Sequence, residues 1–186
     1  MAGHFGLAAT VKAAAPKTPL WALMVATQFL DIVFVVLLLA GGVENLTDVT
    51  DGTYGEALIH AYWTHSLVGA AVLAVGFGLV SAWRWGRTSG LVLGAVVFSH
   101  WLLDLLVHRP DLPILPGNAG DLPLLGLGLW RTPWASVGAE LALVLIGAAT
   151  YWWSIRGRAR VTGRAIVAGA TLAVLLGADL AIDVLT

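Results

Sequence analysis

Along its length the chain alternates long apolar runs with short polar or proline-rich breaks. The runs Thr18 to Gly41, Ala57 to Trp83, Ser89 to Val107, Thr132 to Ile155 and Gly163 to Leu185 each approach or exceed the roughly 20 residues that a helix needs to cross a bilayer. Gly41 and Gly42 close the first run, and a polar loop with Glu44, Asp48, Asp51 and Glu56 follows it. Arg84 and Arg87 lie in the tight turn between the second and third runs, and Arg156, Arg158, Arg160 and Arg164 crowd the break before the last. The connection 108–131 contains Pro110, Pro113, Pro116 and Pro123, which forbid one regular helix, although Leu122 to Leu129 keeps it apolar. Such a segment re-enters the membrane or folds as a lid, because irregular backbone at depth needs protein or a water-filled cavity around it. The pattern predicts an all-α, polytopic transmembrane helix bundle of about five spans, with 18–186 as a single domain. Residues 1–17 form a short N-terminal segment, expected on the membrane surface or disordered.

Composition narrows the class further. Hydrophobic residues make up 59% of the chain and charged ones 11%, with a mean hydropathy of +0.86. A soluble domain carries about 25% charged residues, so a water-soluble monomer is not expected. The net charge of −1 gives no reason to invoke nucleic acid. The absence of cysteine excludes disulfides, thiolate metal sites and iron–sulfur clusters. Met1 to Pro16 lacks a sustained apolar stretch and does not read as a cleaved signal peptide. Lysine and arginine fall in the N-terminus, the second-to-third turn and the fourth-to-fifth loop, but not in the 42–56 loop. That bias places the N-terminus in the cytoplasm and the C-terminus outside. Trp21, Trp83, Trp85, Trp130, Trp134, Trp152 and Trp153 sit near span ends, where interfacial anchoring accounts for them.

The apolar runs nevertheless carry Asp31, His60, His65, His100, Asp104, Glu140 and Asp179. Each ionisable residue in a span costs roughly 2.5 to 3.5 kcal/mol on insertion scales, so the set points to a functional site. At about 1.5 Å per residue, Asp31 lies roughly 15 Å from the outer end of its span, His65 about 12 Å, His100 about 10 Å and Asp104 about 5 Å. Glu140 and Asp179 fall in the same mid-depth or outer layer, which suggests a shared cavity open to the extracytoplasmic side.

His100 and Asp104 are one helical turn apart and share a face, as two ligands of a zinc, manganese or iron ion do. His108 extends the stripe. His60 and His65 lie about 140° apart on a regular helix, so either His60 belongs to an irregular entry or only His65 is a ligand. Thr64 and Ser66 flank His65 and can satisfy backbone carbonyls or orient a ligand. Asp31 reads as a metal ligand, a proton-handling carboxylate or a protonated structural residue. Glu140 and Asp179 share that ambiguity, and a carboxylate beside a metal can act as general base toward bound water. Arg109 and Asp111, between prolines, either position a substrate head group with His108 or simply pair with each other at a rigid corner.

His60-Ala-Tyr-Trp-Thr64-His65-Ser66, followed by Ser99-His100-Trp-Leu-Leu-Asp104, resembles the YdjM-like group of bacterial membrane-bound metal-dependent hydrolases. That group carries an H-x-x-x-T-H-S segment and a later S/G-H-x-x-x-D segment on apolar helices. Asp31 falls where the group has an aspartate-rich first motif, and the resemblance covers roughly the first three spans. It implies a multi-pass protein of the bacterial cytoplasmic membrane with a His/Asp metal site and hydrolytic activity. Ala61-Tyr62 stands where the group has Arg-Gly, and the aspartate motif is reduced to Asp31, so neither an arginine contact to an anionic substrate nor a two-metal centre follows.

The reading that joins residues and resemblance is a membrane hydrolase with one divalent metal, zinc first among the candidates, held by His65, His100 and Asp104 with His60 or Asp31. Asp31 or Glu140 would handle protons. His108, Arg109, Asp111 and Asp179 would face a lipid or lipid-linked substrate in the outer leaflet, in a chain that acts alone, as a homo-oligomer or within a membrane complex. The alternatives are a small permease, proton relay or metal carrier using the same residues, and a haem-binding accessory subunit with His65 and His100 as axial ligands.

Overall fold

The computed structural model describes residues 2–48, 57–156 and 174. Among the described residues the architecture is helical, with one short two-stranded hairpin. Helix α1 (Ala2–Ala14) precedes α2 (Leu20–Thr27) and α3 (Phe29–Ala40), and the strands β1 (Asn45–Asp48) and β2 (Ala57–His60) follow. Helices α4 (Leu67–Trp85) and α5 (Arg87–Val107) lead into the proline-rich connection, and α6 (Pro133–Arg156) ends the described chain apart from Val174. Three of these helices, α4, α5 and α6, are long and apolar enough to cross a membrane, and the bent pair α2 and α3 makes a fourth if it counts as one span. The run 163–185, expected as a fifth span, lies outside the described residues except for Val174. Two compact units emerge, Met1–Thr27 with Val137–Thr186, and Gln28–Ser136.

In the first unit the N-terminal segment is a helix, and α1 packs directly on α6. A Cβ added at Gly147 would collide with the backbone of Gly6, and one added at Gly6 would meet the backbone of Leu143 and Val144. Glycine is what lets two helix backbones approach this closely. Lys12 closes the end of α1 by donating from Nζ to Thr18 O at 2.7 Å and Pro16 O at 2.9 Å. Carbonyls left open past the last helical turn are thereby satisfied.

In the second unit α4 and α5 form a tight antiparallel hairpin about Gly86, whose φ of +87° suits glycine. Gly78, Gly90 and Gly94 line the seam between them, and a Cβ at Gly90 would stand 2.6 Å from Gly78 O. Away from the seam, α4 presents Val72, Val75, Leu79, Val80 and Trp83 as exposed side chains, and α5 presents Leu91. Acyl chains match such a surface and water does not.

Two boundaries differ from the apolar runs, for local reasons. The first run is interrupted at Gln28, which takes φ −111° and ψ 7° as the Thr27 hydroxyl bonds back to Met24 O at 2.8 Å. The break restarts the helix so that Asp31 falls in the first turn of α3, where unpaired amides and the helix dipole favour a carboxylate. The second run does not become helical at 57. Residues Ala57–His60 pair antiparallel with Asn45–Asp48, and the helix starts at Leu67 behind an extended Ser66 cap that accepts from Gly69 N at 3.0 Å. His65 therefore sits in the turn before α4 rather than well inside a span.

The connection folds back as a cover. Leu112 and Leu125 bond to each other in an antiparallel bridge, and Gly128 N donates to His108 O at 2.7 Å. Pro113 O and Ile114 O accept from Leu67 N and Val68 N at 3.0 and 3.2 Å, which satisfies the open start of α4. Gly117 N reaches Tyr62 O at 2.8 Å, so the same segment also holds the loop that carries His65.

Candidate metal centre

Three elements of the second unit bring Asp31, His65, His100 and Asp104 together. Asp31 comes from the first turn of α3, His65 from the turn before α4, and His100 with Asp104 from the last turns of α5. His65 Nε2 lies 3.3 Å from Asp31 Oδ1 and 3.5 Å from Asp104 Oδ2. His100 Nε2 lies 3.5 Å from Asp31 Oδ1 and 3.1 Å from Asp104 Oδ2. Nitrogen and oxygen alternate around the cluster, each nitrogen facing both carboxylates.

These separations bear on what the cluster can hold. A tetrahedral ion with bonds of about 2.0 to 2.1 Å to nitrogen and oxygen has ligand-to-ligand edges of about 3.3 to 3.4 Å. The contacts just given straddle that length, and the ligand atoms of Asp31, His65 and His100 all lie close enough together to share one ion. Imidazole with carboxylate is a donor set for zinc, manganese or iron. The buried His/Asp group can hold a metal ion. Burial is uneven: the side chains of His65, His100 and Asp104 are 5, 0 and 2% exposed, that of Asp31 24%.

The surroundings fix His65 on several sides. Its backbone N donates to Ala61 O at 3.0 Å, and its carbonyl accepts from Trp101 Nε1 at 2.8 Å, tying the loop to the residue beside His100. Phe34 meets the His65 ring edge-on at 6.0 Å, and the His100 ring lies 5.5 Å away. The Thr64 hydroxyl stands 2.9 Å from His65 Nδ1 and 2.9 Å from Glu44 Oε1. Glu44 is buried and also accepts from the backbone of Thr64 at 2.9 Å and of Trp63 at 3.3 Å.

The other residues singled out in the sequence fall elsewhere along the chain or outside the described residues. His60 ends β2 with its ring against Tyr62, so His65 is the histidine of that motif that joins the cluster. His108 caps α5, and its Nδ1 lies 2.9 Å from Asp111 Oδ1, both side chains buried. The Trp130 ring lies 4.2 Å from that of His108. The corner at 108–111 is thus built on a His–Asp pair with Arg109 between them. Glu140 stands on α6 in the other unit, and Asp179 lies outside the described residues.

Sequence reasoning missed Glu44 and Trp101. Glu44 is one of several acids in a polar loop, and nothing in its neighbourhood distinguishes it from Asp48 or Glu56. Thr64 carried a signal, since it abuts His65.

Comparison with protein-family models, curated proteins and solved structures finds no match for this chain.

Proposed function

We propose that this chain is an integral membrane metal-dependent hydrolase of the YdjM-like kind, acting on an ester, amide or phosphoester of a lipid or lipid-linked substrate. The observation that supports this reading best is the buried, alternating His/Asp cluster, whose neighbouring nitrogen and oxygen atoms lie 3.1 to 3.5 Å apart and whose fourth member, Asp31, is partly exposed. His65, His100 and Asp104 would hold the metal, zinc first among the candidates. A divalent ion there would supply Lewis acidity and activate water for attack.

The protein's own groups do the rest. Asp31, the partly exposed member, orients the attacking water and takes its proton at Oδ1. The side chains of His65, His100 and Asp104 are themselves buried. The apolar outer faces of α4 and α5 support a chain seated in the bilayer, where a lipid substrate is already concentrated. Arg109, held at the corner by the buried His108–Asp111 pair, is the candidate for a head-group contact. The Lys/Arg bias supports a cytoplasmic N-terminus in a bacterial inner membrane.

Elemental analysis of detergent-purified protein, with hydrolysis assays on a panel of lipid esters, amides and phosphoesters, tests the proposal. One transition-metal ion per chain and turnover that a chelator abolishes are expected. Protein that holds no metal after incubation with zinc, manganese or iron salts would overturn it. A Soret absorbance band would point instead to haem.

A further inference from the structure

We infer that Glu44 and Thr64 are positioning residues that fix His65 in the tautomer whose Nε2 lone pair faces the cluster. The inference rests on the metal-site reading above and deepens it. The argument is a count of protons. A threonine hydroxyl has one hydrogen and accepts through its lone pairs, and Glu44 Oε1 is already an acceptor, of the Thr64 backbone N–H. Thr64 Oγ1 lies 2.9 Å from Glu44 Oε1, so its hydrogen points there. At the other 2.9 Å contact Oγ1 can then only accept, so His65 Nδ1 is the nitrogen that carries hydrogen. In the neutral ring the free lone pair falls on Nε2, the atom facing Asp31 and Asp104.

The same contacts set the orientation of the ring. Glu44 binds Thr64 through both its backbone N–H and its hydroxyl, so the residue beside His65 cannot swing without losing two bonds to one buried carboxylate. Glu44 immediately precedes β1 and Thr64 follows β2 by a few residues, so the hairpin is what brings them together. A partner on the far ring nitrogen is the usual means of holding a metal-binding histidine, and losing one typically costs 10-fold to 100-fold in affinity. Here a hydroxyl relays a carboxylate to the imidazole instead of the carboxylate contacting it directly.

Cobalt(II) titration of metal-free full-length protein in detergent tests this, with affinity read by chelator competition and site geometry by the visible ligand-field bands. Thr64→Val removes the hydroxyl at nearly constant volume and should weaken cobalt binding by about 10-fold to 100-fold and alter the bands. Thr64→Ser restores the hydroxyl and should return affinity to within about 3-fold of wild type, a rescue that a packing role for the threonine methyl would not give. Glu44→Gln, which weakens the acceptor but keeps the shape, should lose affinity in the same direction, and it serves should Thr64→Val not fold. Wild-type binding with unchanged affinity in Thr64→Val, or in Glu44→Gln if Thr64→Val does not fold, overturns the inference and leaves the metal site standing. Wild-type protein that binds no cobalt overturns the metal site and the inference with it.

Discussion

Asp31 differs from its three partners in the cluster because its side chain is partly exposed, and that difference yields the sharpest test at the residue scale. Asp31→Asn keeps the shape and an oxygen donor but loses basicity. We expect it to retain metal while turnover falls by about 100-fold to 10,000-fold. His100→Ala and Asp104→Ala remove buried ligands, and each should lower metal affinity by at least about 10-fold to 100-fold. Metal content by elemental analysis and activity on the lipid panel separate the outcomes. If Asp31→Asn loses metal as fully as His100→Ala, Asp31 is a ligand; if it keeps both metal and full activity, Asp31 is structural. How legible these residues were depends on the distance over which they act. His100 and Asp104 could be paired from sequence because one helix turn fixes their separation. Depth and motif resemblance pointed to His65 and Asp31 as their partners, but the break at Gln28 and the turn before α4 that bring them in are not encoded by apolar patterning. Glu44 acts on a residue 20 positions away across a hairpin, and no local signal marks it.

Among elements, the helix-spanning runs 89–107 and 132–155 agree closely with α5 and α6, since uniformly apolar sequence leaves the backbone little choice in lipid. The run from 57 misleads because Ala57–Ile59 is apolar for a different reason: it forms a strand against 45–48, and hydropathy does not distinguish the two periods over so few residues. The α4–α5 seam offers a test of packing with opposite signs at two glycines of the same hairpin. Gly90→Ala would set a Cβ 2.5 Å from Ala82 Cβ and must push the helices apart, at a cost of about 1 to 3 kcal/mol. Gly76→Ala meets no atom within 4 Å among the described residues and should stabilise by up to about 1 kcal/mol through helix propensity alone. Thermal unfolding in detergent, followed by fluorescence, reads both. Equal shifts in the two variants would show that the helices are not in the close contact the seam implies.

For the whole molecule, the orientation in the bilayer decides which side the cluster serves. The α4–α5 turn holds Arg84 and Arg87, whereas Asp31, His65, His100 and Asp104 gather at the opposite end of that helix pair. If the arginine turn faces the cytoplasm, as the positive-inside bias requires, the cluster opens toward the extracytoplasmic leaflet and its substrate is an outer-leaflet lipid. The inverted arrangement would give the same cluster access to cytoplasmic metal and substrate, so orientation carries functional weight beyond topology. The chain has no cysteine, which makes single-cysteine labelling free of background. Thr88→Cys lies exposed beside the arginine turn, and Thr53→Cys lies in the loop without Lys or Arg between the first two apolar runs. In intact cells a membrane-impermeant maleimide should label Thr53→Cys and spare Thr88→Cys until the membrane is permeabilised. The reverse pattern would place the cluster on the cytoplasmic side and rule out an outer-leaflet substrate, while leaving the metal-site chemistry to be judged by metal content alone.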